Sequence, residues 1–146
     1  MAKRIEQRII IEAPASRVWE LLADIPRWSE WNPLYACAHG ELRLGAELDL
    51  AVVLPGLKPQ SVKATVTDAT RDRRLGYLTV NMGGLARGDR YVEIEDRGDG
   101  GCIVANGEIM SGPLGALLAA VAGKKVEQAL AGMNFALKTR AEAKPD

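Results

Sequence analysis

The chain has 146 residues, enough to bury a core without disulfide or metal staples, and its 47% hydrophobic and 26% charged residues are ordinary for a globular protein. Nineteen basic residues balance 19 acidic ones, and the basic residues are scattered along the chain. That scatter gives neither a nucleic acid nor an acidic membrane any electrostatic support at the level of sequence.

Cys37 and Cys102 are the only cysteines, and apart from the single His39 no second thiol or imidazole stands near either in sequence to complete a ligand set. A zinc site or disulfide framework is therefore not expected, and both read as reduced core residues. The N-terminal MAKRIEQRIIIEAP carries three isoleucines in a row, too short for the apolar region of a secretory leader. No stretch approaches the roughly 20 apolar residues that cross a bilayer. A cytoplasmic protein without metal or cofactor is the expectation.

In chain order, β-branched residues from Ile5 to Glu12 predict a first strand. Pro14 then sits well at the start of a helix reaching Ala23, with Val18, Trp19, Leu21 and Leu22 on its buried side. The stretch Asp24 to Pro33 holds two more prolines and predicts a second short helix. From Tyr35 the pattern alternates. Leu48, Leu50, Val52 and Leu54 share one face; so do Val62, Ala64 and Val66; so do Leu78, Val80 and Met82. Strands Asp89 to Glu95 and Cys102 to Ser111 flank the turn-rich DRGDGG and predict a hairpin. After Gly112-Pro113 a long helix to Lys144 carries Val126, Leu130, Met133 and Leu137 at steps of four, three and four. Gly123 is a place where that helix can kink. Neither a repeat nor a linker interrupts residues 1–146, so one domain is expected. The fold class is α+β: a curved antiparallel sheet burying the stripe of the last helix.

Three segments resemble the START-like superfamily, also called the polyketide cyclase/dehydrase and lipid-transport (SRPBCC) superfamily: IIIEAPASRVWELLADIPRWSEWNP at Ile9–Pro33, GDGGC followed by Glu108 and Gly112, and VEQALAGMNFALKTRAE at Val126–Glu142. The resemblance implies a helix-grip fold, with about seven strands curled around the C-terminal helix and two short helices plugging one end. It also implies a cavity that binds lipids, sterols, polyketides, quinones or plant hormones, and in a minority of members catalyses cyclisation, dehydration or ring hydroxylation. Ligand contacts vary across the superfamily, so no catalytic signature is carried over.

The residues themselves suggest where such a site lies. With the hairpin turn centred between Asp96 and Gly101, Ile94 pairs near Cys102, Val92 near Val104 and Arg90 near Asn106, with Glu108 one step further. Period-2 alternation then turns Arg90, Asn106 and Glu108 inward, where they either orient a ligand oxygen or simply pair with one another. His39 is the single histidine and, with Glu108, a candidate acid or base, although a solvent-exposed turn residue is the simpler reading. Trp28, Trp31 and Tyr35 are candidates for the pocket mouth, or cement for the short helices. Tyr77 and Tyr91 have outer-face parity. Leu50, Val52, Leu78 and Val80 form the expected lining on the early strands, and Val104, Met110, Leu130 and Met133 complete it. Methionines suit an adaptable wall. Gly112 to Gly123, uncharged and followed by Lys124-Lys125, is either a helix start across the mouth or a segment that touches an anionic surface.

The leading expectation is a carrier that binds a small hydrophobic molecule, such as a lipid, quinone or polyketide. The first alternative is a cyclase or dehydratase in which Glu108 or His39 moves a proton and Arg90 or Asn106 stabilises an oxyanion. An interaction module with a filled core is the second. Edge strands leave a homodimer open.

Overall fold

In the computed structural model, residues 2–143 are described, and the side chain of Met82 lies outside that description. The alternation of Lys3–Ile11 makes strand β1. Pro14 follows in extended backbone, and its carbonyl accepts from the amides of Arg17 and Val18 at 3.0 and 3.3 Å. Helix α1 (Ala15–Ala23) thus starts one residue later than expected and buries Ala15, Val18 and Leu22. Pro26 has no amide hydrogen to bond the Leu22 carbonyl, which accepts from Trp28 Nε1 instead, so α1 stops at Ala23 and a 3₁₀ helix, Ile25–Glu30, takes over.

Among the described residues six further strands follow: β2 (Tyr35–His39), β3 (Glu47–Val52), β4 (Gln60–Thr70), β5 (Arg74–Asn81), β6 (Ala86–Asp96) and β7 (Cys102–Ser111). They form one antiparallel sheet with β1 in the order β1-β7-β6-β5-β4-β3-β2. Two bulges, at Ala36 between β2 and β3 and at Thr67 between β4 and β5, bend it. Gly76 sits opposite the second, where a Cβ would lie 3.1 Å from Thr67 Oγ1 and 3.2 Å from Asp68 Cβ. Helix α2 (Gly115–Glu142) crosses the concave face and buries Val126, Leu130, Met133 and Leu137, the expected stripe. The expected end at Lys144 falls outside the described residues. The helix runs unbroken through Gly123, because propagating an already formed helix past one glycine costs only about 1 kcal/mol. The α+β class and the helix-grip architecture are those the sequence predicts.

Two expectations on the sheet need correction. The hairpin pairs Ile94 with Val104, Val92 with Asn106 and Arg90 with Glu108, two residues away from the expected register. The five-residue connection 97–101, closed by the Arg97 amide on the Gly101 carbonyl at 3.0 Å, lets the strands continue to Asp96 and Cys102. A slip of two preserves faces, so the inward set survives.

In β5 the faces are reversed. Leu75 and Tyr77 point inward with Thr79 and Asn81, while Leu78 is half-buried on the outer side and Val80 is 55% exposed. Pairing decides this: Val66 stands opposite Tyr77 and Ala64 opposite Thr79, so β5 follows the inward face of β4 even though its own apolar residues favour the other. Tyr91 does face outward, as its parity predicts. Its ring covers Gly107, where a Cβ would collide with it, and its hydroxyl donates to Glu6 Oε1 at 2.5 Å.

Candidate functional site

The end of the sheet plugged by α1 and the 3₁₀ helix is solid. Trp28 there is fully buried, donates from Nε1 to the Leu22 carbonyl at 3.0 Å and stacks on Tyr35 at 5.1 Å and 27°. Toward the other end, sheet and α2 separate and leave a cavity of about 500 Å³. Its sheet wall includes Leu50, Val52 and Val62, then Tyr77, Thr79 and Asn81, and across β6 and β7 Arg90, Glu108 and Met110. Helix α2 supplies Leu118, Ala122, Val126, Ala129 and Leu130. The wall is mainly apolar, and its deep polar groups gather where β2, β5, β6 and β7 meet.

Arg90 is the centre of that group. It is 5% exposed, and its Nη1 donates to Asn106 Oδ1 at 2.8 Å and to the Gly107 carbonyl. Its Nη2 lies 3.7 Å from Met133 Sδ, and the guanidinium carbon is 5.6 Å from the Tyr77 ring centroid. Nε has no partner. Among the described residues no carboxylate forms an ion pair with Arg90, although Glu108 is directly across the ladder. The cation is therefore held by neutral acceptors and faces the cavity uncompensated by a contact ion pair.

Asn106 is fully buried behind Arg90 and outside the cavity wall. Its Nδ2 donates to Asn134 Oδ1 at 3.1 Å, and Asn134 Nδ2 donates to the Gln7 carbonyl at 3.0 Å. A chain of hydrogen bonds thus runs from the backbone of β1 through α2 and β7 to the guanidinium. The Tyr35 and Tyr77 hydroxyls are hydrogen-bonded to each other beside it. Burial pushes the Tyr35 phenol above its ordinary value of 10.0, against the pull of Arg90, so it stays a proton donor at neutral pH. Burial likewise raises the Glu108 carboxyl above its ordinary 4.5, opposed by Arg90 and reinforced by Asp89. A carboxyl that holds its proton more tightly than usual, a phenol pair and a fixed cation can together hold one oxygen function of an otherwise apolar molecule, or move a proton on it.

The structure brings Tyr35, Leu50, Val52, Arg90, Glu108, Met110 and Leu130 to the cavity. Other candidates lie elsewhere. Leu78 and Val80 are on the outer face, as described. Trp28 backs Tyr35 within the core and Trp31 is half-buried against it; the rings belong to the plug because α1 needs an apolar roof. Val104 and Met133 are core residues, Met133 touching the site only through Arg90. His39 is exposed on β2, 3.0 Å from Cys37 Sγ, and is not part of this cavity's wall. The lone imidazole and Glu108 therefore do not share that wall. Sequence reasoning missed Tyr77, hidden by the reversed parity of β5, and Asn134. An asparagine on the apolar stripe, four residues after Leu130, was the available signal for Asn134. Among the described residues no three His, Cys, Asp or Glu side chains gather as a metal-holding set.

The family model described as polyketide cyclase / dehydrase and lipid transport matches residues 2–142. No curated protein matches the chain. Among solved structures, the chain is similar to the Zhui aromatase/cyclase from Streptomyces, with TM-score 0.80 and 16% identity over 97% of this chain and 94% of that one. Norcoclaurine synthase from Thalictrum flavum, in complex with dopamine and hydroxybenzaldehyde, gives TM-score 0.76 and 15% identity over 100% and 90%. A START superfamily protein from Mycobacterium smegmatis gives 0.73 and 16% over 95% and 97%. At such identities the likeness carries the architecture and no side chain of the site.

Proposed function

The chain belongs to the polyketide cyclase/dehydrase and lipid transport family, and on that premise we propose that it binds a small, largely apolar molecule carrying one oxygen function. The observation that carries this reading is the cavity of about 500 Å³ with its deep polar groups gathered around Arg90. A volume in that range suits a molecule of drug or small-lipid size. The apolar walls take its body, and Arg90, Glu108 and the Tyr35–Tyr77 pair take its carbonyl, hydroxyl or carboxylate. Asn106 and Asn134 position Arg90 and do not touch the ligand. A filled core, the third expectation from sequence, has no support from such a cavity.

Native mass spectrometry of the freshly purified protein, with organic extraction, tests this. A bound lipid, quinone or aromatic ketone is expected. Arg90→Ala is expected to weaken its retention about tenfold or more, since a hydrogen bond to a charged group contributes roughly 1.5–3 kcal/mol. An empty protein that also shows no thermal shift with a panel of hydrophobic ketones, acids and quinones overturns the reading.

A second reading, catalysis, is favoured by one observation. The raised Glu108 carboxyl faces the same space as the Tyr35 hydroxyl and Arg90. In its ionised form Glu108 would take a proton from a carbon next to a ligand carbonyl, while Arg90 and the phenol pair stabilise the enolate oxygen. Exchange of that proton for deuterium in an aromatic ketone, followed by NMR, is expected to need the intact protein and to vanish in Glu108→Gln. Binding without exchange leaves the carrier reading alone.

A further inference from the structure

We infer that the open end of the cavity is a docking face for the surface of an anionic lipid bilayer. Three segments surround that end. They are the β3–β4 loop, the β5–β6 loop and the first turns of α2, joined by Lys125 Nζ on the Pro55 carbonyl at 2.9 Å and by the Leu114 amide on the Leu85 carbonyl at 2.9 Å. Each offers large apolar side chains to solvent: Leu57 from the first, Leu85 from the second, Leu117 and Val121 from the third, the last two 58% and 74% exposed. On α2 the stripe Leu118, Ala122 and Val126 lines the cavity, and the neighbouring stripe Leu117, Val121 and Lys124 stands outside it. The helix therefore straddles the rim.

Charge selects the partner. No aspartate or glutamate occurs from Leu50 to Thr67, from Arg73 to Gly88 or from Ile109 to Val126. Lys58, Lys124 and Lys125 lie among the exposed leucines, and among the described residues none of them makes an ion pair. Arg87 is matched by Asp89, and the next acid along α2, Glu127, is turned toward β1, where it accepts from Gln7. A chain of zero net charge thus keeps its acids away from this one end. Lys124-Lys125 after the uncharged 112–123 segment was the one sign of this in the sequence; folding adds Lys58 and the exposed leucines of the two loops beside it. Apolar side chains ringed by lysines suit an interface of acyl chains under anionic headgroups. A second copy docking face to face would bring the same lysines together, which opposes that partner. No described helix is long and apolar enough to cross a membrane, so the contact is peripheral. The inference goes beyond the ligand reading and does not rest on it, since vesicle binding is read without any cavity occupant.

The test is co-sedimentation of the full chain with vesicles of phosphatidylcholine alone and with about one-third phosphatidylglycerol. Binding is expected only to the anionic vesicles and is expected to fall in high salt. Val121→Asp, at a site too exposed to unfold the protein, is expected to lower partition about tenfold. Lys58→Glu and Lys124→Glu are each expected to lower it about fivefold or more, the loss of one lysine near a charged surface. Phe135→Asp is the control: Phe135 is 68% exposed on the same helix but far from the rim, and partition is expected to stay unchanged. No preference for anionic vesicles, or equal losses in Val121→Asp and Phe135→Asp, overturns the inference. So does self-association in buffer that Val121→Asp abolishes while vesicle binding is absent.

Discussion

Glu108 is a carboxyl in a place that disfavours its charge, and pH reads this directly. Burial raises its folded-state value above the ordinary 4.5, so between those two values the native state holds a proton that the unfolded chain has released. Stability contributed by this group is therefore present at low pH and falls as pH rises through the raised value. Glu108→Gln removes that dependence. The melting temperature of the variant relative to the parent is expected to be higher at pH 7 than at pH 4; an unchanged difference would place the carboxyl in free contact with water. Arg90 opposes the shift, Asp89 adds to it, and the Tyr35 phenol stays protonated throughout this range. Arg90, Asn106 and Glu108 were legible in the sequence because strand parity survives a two-residue error in register. Leu78 and Val80 were misread because a strand's own apolar pattern is weaker evidence than the neighbour it pairs with.

At the scale of elements, α2 is tied to the sheet by more than its apolar stripe. Asn134 bridges Asn106 on β7 and the Gln7 carbonyl on β1, and it is buried. Asn134→Leu would leave an amide donor and a backbone acceptor unsatisfied, at about 1–3 kcal/mol each. Denaturant unfolding is expected to show a loss of about 2–6 kcal/mol, summed from those two groups. The same variant frees the Asn106 amide that braces Arg90, so retention of the cavity ligand is expected to weaken in the variant even where it remains folded. Leu130→Ala, by contrast, enlarges the cavity wall and is expected to cost about 2–5 kcal/mol while leaving the Arg90 brace intact. Comparing ligand retention in the two variants separates the bracing role from bulk packing. The bulges at Ala36 and Thr67 left no periodic trace in the sequence, because an inserted residue is visible only against its partner strand.

For the whole molecule, a cavity of about 500 Å³ is apolar surface without partners, and filling it stabilises the folded state through linkage. A ligand at a hundredfold excess over its Kd is expected to add about 2.7 kcal/mol to unfolding, seen as a rise in Tm with ligand concentration. Anionic vesicles are expected to act at the rim, and Val121 stands outside the cavity wall, so Val121→Asp should leave that rise untouched. The element order, the long amphipathic helix, the curved sheet around it and the inward hairpin residues were determined by the sequence alone. Periodicity and turn chemistry are local properties and can be read along a line. The reversed face of β5, the pairing of Tyr35 with Tyr77, the brace through Asn134 and the acid-free rim were decided by the tertiary structure. Each depends on which distant segments become neighbours, and pairing and closure are set by the energy of the assembled sheet and helix, which no single stretch of the chain contains.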